Sequence, residues 1–238
     1  MARLLRRERE VVLPGEKIIE SMDYIPGKNC FREDKAIISK KVGIISVQGR
    51  VISVIPLSGV YVPRVGDMVI GEVIDIQTNG WVLDINSIHE AYLPLFGITR
   101  FIDITKTDLS SVYEIGDTLY TKISHISGSS IYLTMHDPRA KKFRKGMILK
   151  MSSAKVPRLI GRGGSMINII KEKTGCKISV GQNGILWVDG ENVKLVKKVI
   201  DTIEKEPHAE GLTEKISKML DEEIKKKAES EKDGGEEK

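Results

Sequence analysis

Over the first 65 residues the apolar positions fall into short, β-branched runs separated by turn pairs. Pro14-Gly15 and Pro26-Gly27 are such pairs, Gly43 and Gly49 interrupt the run from 42 to 54, and Pro56, Gly59 and Pro63 punctuate the stretch from 55 to 65. No helical period runs through the segment, so it reads as a small all-β domain over 1–65. A core of this size is marginal alone, and the domain is expected to pack on a partner. Residues 66–136 carry five longer runs, at 68–77, 81–85, 91–95, 117–126 and 131–135. Asn79-Gly80 is a hairpin turn between the first two, and 127–130 turns between the last two. Only the connection from 96 to 114 is long. Five strands with one long connection between the third and fourth predict a five-stranded OB-fold β-barrel over 66–138.

Past a basic linker at 139–145 the period changes. A strand is expected at 147–151, a short helix from near Lys155, a second helix over 165–173, strands at 177–180 and 185–188, and a third helix over 191–204. Leu195, Val196, Val199, Ile200 and Ile203 share one face of that last helix. The order β-α-α-β-β-α defines an α+β domain at 146–205. In 206–238 the stripe Leu212, Ile216, Met219, Leu220 and Ile224 predicts an amphipathic helix that docks on a neighbouring surface. The charged stretch 229–238 is expected to be disordered.

Composition narrows the function classes. Aromatic residues are only 5% of the chain, so the cores must be aliphatic. Cys30 and Cys176 are too few for a disulfide framework or a Cys-rich zinc site and fit a reducing compartment. The Arg-rich start lacks the apolar run of a secretory signal, and no run is long enough to cross a bilayer. A soluble, cytoplasmic protein without membrane attachment is expected. The net charge of +5 is unevenly spread. Residues 66–140 hold 4 basic and 10 acidic side chains, whereas 141–204 hold 14 basic and 5 acidic. The second of these segments is the candidate surface for a polyanion.

That segment also contains the sharpest local feature, Ile160-Gly161-Arg162-Gly163-Gly164-Ser165. Glycines around a two-residue tip let a backbone approach a ligand closely. The helix beginning at Ser165 offers free N–H groups to a phosphate. Arg158, Arg162 and Lys171 add positive charge. A dinucleotide-binding loop would need a third glycine where Met166 stands, and would join strand to helix. A Walker loop would need Gly-Lys-Ser/Thr. A plain interhelical turn is the remaining alternative.

Within its β-α-α-β-β-α frame, the run from Leu159 to Ile167, with Lys173-Thr174-Gly175-Cys176-Lys177-Ile178 and Val188-Asp189-Gly190 after it, resembles a KH domain. Such domains clamp about four nucleotides of single-stranded nucleic acid. The barrel is similar to S1 domains at Val65-Gly66-Asp67, Gly71-Glu72-Val73, Asn79-Gly80, Val82-Leu83-Asp84 and Ile115-Gly116-Asp117. With Val12-Leu13-Pro14-Gly15-Glu16 and Tyr61-Val62-Pro63 in the leading domain, the whole order resembles the RNA-binding cap subunits of the archaeal exosome, of the ribosomal RNA-processing protein 4 type. The resemblance implies a non-catalytic subunit that binds single-stranded RNA and needs no cofactor or metal. It implies three copies, alone or mixed with another S1-containing cap subunit, on a hexameric ring of phosphorolytic subunits. RNA-binding residues would be Arg158, Ile160, Gly161, Arg162, Gly163, Gly164 and Lys171. Gly181, Asn183 and Gly184 match a G-x-N-G element that is structural in that family, where KH meets S1.

Where S1 domains place RNA-stacking aromatics, this chain has Asn79 and Val82. Trp81 is one position off and by strand alternation faces the other way. Arg100 and Lys106, in the long connection, are the better RNA candidates on this domain, with a solvated loop as the alternative. Asp75, Asp84, Asp103 and Asp108 would be the ligands if the chain were a small metal-dependent nuclease. Their reading as barrel-surface and turn residues is the stronger. A free-standing S1/KH transcription or translation factor is a further reading, though it leaves the first 65 residues without a role.

Overall fold

In a computed structural model the chain divides into two compact units, 1–59 and 60–238. The residues described are 3, 4, 6, 8–99, 108–205 and 211–233, with side chains left aside at 3, 4 and 224–233. The first unit holds two four-stranded sheets. One runs in the order Arg3–Leu4, Lys17–Glu20, Ala36–Ser39, Cys30–Glu33, and the other Val11–Val12, Gly43–Gln48, Val51–Pro56, Ile25–Pro26. Val12, Ile18, Ile19, Ile37, Ile45, Ile52 and Val54 form an aliphatic core. Val11, Leu13, Met22, Ile25, Val42 and Ile55 are left exposed, as the marginal size of the domain leads one to expect.

The second unit begins with the barrel. Its strands are β1 (Met68–Gln77), β2 (Gly80–Asp84), β3 (Ala91–Pro94), β4 (Thr118–Ser127) and β5 (Ser130–Thr134). They close in the order β1-β2-β3-β5-β4, with β4 returning to β1 and with β3 and β5 parallel. Val69, Val73, Trp81, Leu83, Leu93, Leu119, Ile123 and Leu133 fill the interior. Trp81 is fully buried, and its indole N–H donates to the Tyr113 carbonyl at 3.0 Å, so the ring that sequence alternation turned away from the S1 binding face is a core residue. Beyond the barrel a short strand β6 (Lys141–Phe143) pairs antiparallel with the start of β4.

The KH-like part comes next: β7 (Met147–Lys150), α1 (Val156–Ile160), α2 (Ser165–Thr174), β8 (Lys177–Val180), β9 (Ile185–Asp189) and α3 (Val193–Lys205). The sheet order is β7-β9-β8, all antiparallel, so β8 is an edge strand beside α2. A last helix α4 (Leu212–Asp233) lays Leu212, Ile216 and Leu220 into the same core as Val196, Val199, Ile200 and Ile203. The tail thus docks on its own KH domain. The helix continues through 229–233, within the stretch expected to be disordered. Ala228, Glu229, Glu231 and Lys232 are good helix formers, and no breaker occurs before Gly234. Residues 234–238 lie outside the described set.

Barrel and KH parts are joined by a small core of their own. Alternation along β1 puts Val69 and Val73 inside and should leave Ile70 facing water. Instead Ile70 is completely covered, by Phe143, Ile185 and Trp187. Phe143 and Trp187 stack at 4.3 Å between ring centres, nearly parallel at 9°. Asn183, also fully buried, donates from its amide to the carbonyls of Ile70 (2.7 Å) and Ile85 (2.8 Å) and accepts the Ile70 N–H at 3.3 Å.

Candidate nucleic-acid interface

The glycine loop leaves α1 at Gly161 and enters α2 at Ser165. Gly161 has φ 74° and ψ 177°, and a Cβ there would stand 2.8 Å from the Met166 amide nitrogen. Only glycine therefore lets the chain turn directly into α2. Gly163 also has positive φ, 59°, but a Cβ there would meet nothing, so its exposed backbone is open to an incoming group. No side chain caps α2, and the Ser165 N–H turns back to the Arg162 carbonyl, so the N–H groups left for a ligand are those of the residues that follow it in the first turn. Arg162 projects from the loop tip and Arg158 from α1, and both are exposed. An uncapped ten-residue helix, an unobstructed backbone and two exposed cations form a place for phosphate oxygens.

Beside the loop lies a groove of about 540 Å³. Ile160, Ile167 and Lys171 form one wall, and Ile178, Ser179 and Val180 of β8 form the other. The floor is aliphatic, with no ring on the KH side. The structure therefore brings Ile160, Gly161, Arg162, Gly163, Gly164 and Lys171 to one side of one domain. Arg158 stays on the outer surface of α1 and does not line the groove. Part of the basic excess is spent elsewhere: Lys173 bonds Asp221 (2.6 Å) and Lys198 bonds Glu223 (2.8 Å), both on α4.

Gly181 and Gly184 flank Asn183 in the turn between β8 and β9, and Gly184 accepts the Met151 N–H at 2.8 Å. The turn is buried against the barrel through Asn183, while its Gln182 reaches the end of the groove. Arg100 and Lys106 lie outside the described residues, as does Asp103. Asp75 on β1 sits across from Val82, Asp84 on β2 from Glu72, and Asp108 accepts the Ser110 N–H at 3.1 Å. Among the described residues no three His, Cys, Asp or Glu side chains gather as metal ligands would. Nor, among these residues, is any helix long and apolar enough to cross a membrane.

Two groups of residues escaped the sequence reading. On the outer face of the barrel Tyr92 and Tyr132 stand edge to face at 6.2 Å, and His125 lies 6.1 Å from the Tyr132 ring. Tyr92 and Tyr132 border a shallow cavity of about 390 Å³ that includes Val82 and Gln77. These rings are contributed by β3, β4 and β5 and meet only because β3 and β5 pair in parallel, Tyr92 opposite Tyr132. The second group is Tyr120, Arg139 and Lys141, which reach the KH groove from the barrel side. Their residue types carry a signal in the sequence, but their destination does not.

The chain matches two family models, one described as the RRP4 S1 domain over residues 60–123 and one as the KH domain over 147–205. It is 39% identical over 220 residues to the exosome complex component Rrp4 of Methanothermus fervidus, covering 91% of this chain and 97% of that protein. It is 40% identical over 227 residues to the Rrp4 of Pyrococcus furiosus, covering 92% and 86%. A crystal structure described as that of a putative exosome complex RNA-binding protein superposes with a TM-score of 0.64 at 33% identity, over 71% of this chain and 99% of that one. Together with the barrel, the KH-type sheet order and the glycine loop, these matches show that the chain belongs to the Rrp4 family of exosome complex components.

Proposed function

We propose that this subunit is the non-catalytic RNA-capturing part of its exosome, a cytoplasmic cap that takes single-stranded RNA and feeds it to a ring of phosphorolytic subunits. The observation that carries the reading is the uncapped start of α2 behind an open glycine backbone, set beside a groove with basic flanks. Such a site holds phosphates and tolerates any base sequence, which suits capture rather than selection. The exposed apolar residues of the first unit, among them Leu13, Met22, Ile25 and Ile55, support a role for that unit in seating the protein on the ring. Three copies on a hexameric ring, alone or mixed with another S1-containing subunit, is the assembly the reading entails.

Two measurements test it. Copurification from native extract followed by native mass should return ring subunits, and RNA polymerase or ribosome in their place would overturn the assignment. The purified chain should bind labelled single-stranded RNA and leave its length unchanged with phosphate or magnesium present. Shortening that is lost on substituting Asp75 or Asp84 would make the chain a nuclease instead.

A further inference from the structure

The groove beside the glycine loop is not closed by the KH domain alone. Gly66, Asp67, Tyr120, Arg139 and Lys141, all outside the KH fold, complete its lining. We propose that RNA held by the loop occupies a composite site. In it Tyr120 closes the straight exit along β8, and Arg139 and Lys141 take the phosphates beyond those clamped by KH. The proposal rests on the RNA-binding reading above and assigns a path to the strand.

The edge of β8 sets that path. The Gly181 N–H donates to the Ile185 carbonyl at 2.8 Å, which sets the parity of the β8–β9 ladder. Lys177 and Ser179 then bond inward to β9, and the main-chain groups of Ile178 and Val180 point to the open edge. An edge of this kind can pair with the polar rim of an unstacked base. At Val180 it is already occupied, because the Tyr120 hydroxyl donates to that carbonyl at 3.1 Å. Burial holds the phenol above its ordinary pKa, so it remains a donor through the physiological range. A strand running along β8 therefore finds its edge partner at Ile178 and is stopped one step later.

The obstruction is firmly held. The Gln182 N–H donates to the Met68 carbonyl at 2.8 Å, Asn183 spans Ile70 and Ile85, and Phe143 stacks on Trp187. The side route is basic. The Lys141 ammonium lies over the Phe143 and Trp187 rings, 5.2 and 5.3 Å from their centres. The Arg139 side chain is 64% exposed and uses its Nε and one Nη on Asp137, which leaves further N–H groups of its fork unspent. Asp67 faces the same groove, with one carboxylate oxygen accepting from the Tyr61 hydroxyl at 2.6 Å. Its charge repels phosphate and confines the backbone to the Arg139 and Lys141 side.

The test uses the full chain with oligouridylates of four and eight nucleotides, at several salt concentrations. Arg139→Gln with Lys141→Gln should bind the four-mer as wild type does, which also reports that the KH domain is folded. For the eight-mer it should lose about tenfold in affinity, with a log–log salt slope shallower by about 1.4, two single-strand phosphate contacts at about 0.7 each. An eight-mer affinity equal to wild type would overturn the composite site and leave the KH assignment intact. Arg162→Asp with Gly163→Asp should weaken both lengths. If it changes neither, the loop reading itself fails, an outcome distinct from the first. As a second measurement, 4-thiouridine at each position of the eight-mer should crosslink to the peptide carrying Tyr120 or Lys141 from one end only. Crosslinks confined to residues 155–180 would also overturn the proposal.

Discussion

The KH groove and the outer face of the barrel are two surfaces of one compact unit, and they are built on opposite terms. The groove has an aliphatic floor and a glycine loop, and its segment carries nine more basic than acidic residues. The barrel face has Tyr92, Tyr132 and His125 in contact, in a segment with an acidic excess of six. RNA presents a charged backbone and flat bases. The first surface addresses the backbone and the second can address only the bases. A domain without stacking rings must hold its strand by charge and main-chain approach, and its affinity falls with salt. A domain with rings but the wrong charge can add base stacking only once another surface has brought the strand near. On the RNA-binding reading proposed above, the difference would assign capture to the KH side and leave the barrel a secondary, salt-insensitive contribution.

Four variants break or sharpen this contrast. The largest effect is expected where the two surfaces are joined. Asn183→Ala leaves the Ile70 N–H and C=O and the Ile85 carbonyl without their buried partner, and should cost about 3 kcal/mol of stability by urea denaturation. A loss within the scatter of surface mutants would mean that barrel and KH do not depend on this amide. Next, Arg162→Asp with Gly163→Asp should weaken single-stranded RNA binding about 30-fold at low salt with only a modest fall in melting temperature, since both positions are exposed and Asp tolerates the positive φ of Gly163 better than most residues do. If it does not, the backbone-first account of the groove is wrong.

A smaller effect is expected on the barrel. Tyr132→Ala should weaken binding of RNA long enough to reach that face by about fivefold, within the range for loss of one base-stacking ring. Its salt slope should stay at the wild-type value, and a slope change would show that the ring acts on the backbone after all. The smallest effect lies at the junction. Hydrogen bonds from Arg139 hold the Asp137 carboxyl below the usual aspartate range, with a further contribution from Lys122. A depressed pKa stabilises the fold above the unfolded value near 4 and loses that contribution as the pH falls through the folded value. Thermal melts of wild type and Asp137→Asn should therefore differ at neutral pH and converge in acid, and parallel curves down to pH 2 would refute the pairing.

Much of this molecule can be read locally. The loop is legible because glycine is the only residue type that fits both a direct turn into α2 at Gly161 and an open backbone at Gly163. The barrel is legible from its Asn-Gly hairpin and its single long connection. Strand ends shift by a residue or so, and the tail helix outruns its apolar stripe because helix propensity continues past the last apolar position of that stripe.

Ile70 shows what could not be read. Two-residue alternation marks it as a solvent position, and it is among the most deeply covered residues of the chain. Tyr92 and Tyr132 are 40 positions apart and ordinary in their own strands until β3 and β5 pair. Tyr120 lies 60 residues from the Val180 carbonyl it occupies, and the direction in which the groove is closed depends on that bond. The sequence by itself determined the elements, their order, the glycine loop and the side on which positive charge accumulates, since each depends on neighbours within a few positions. Only the tertiary structure decided which outward-facing residues the second domain covers and which barrel side chains enter the KH groove. Those outcomes depend on register and docking between distant segments, which no local spacing encodes.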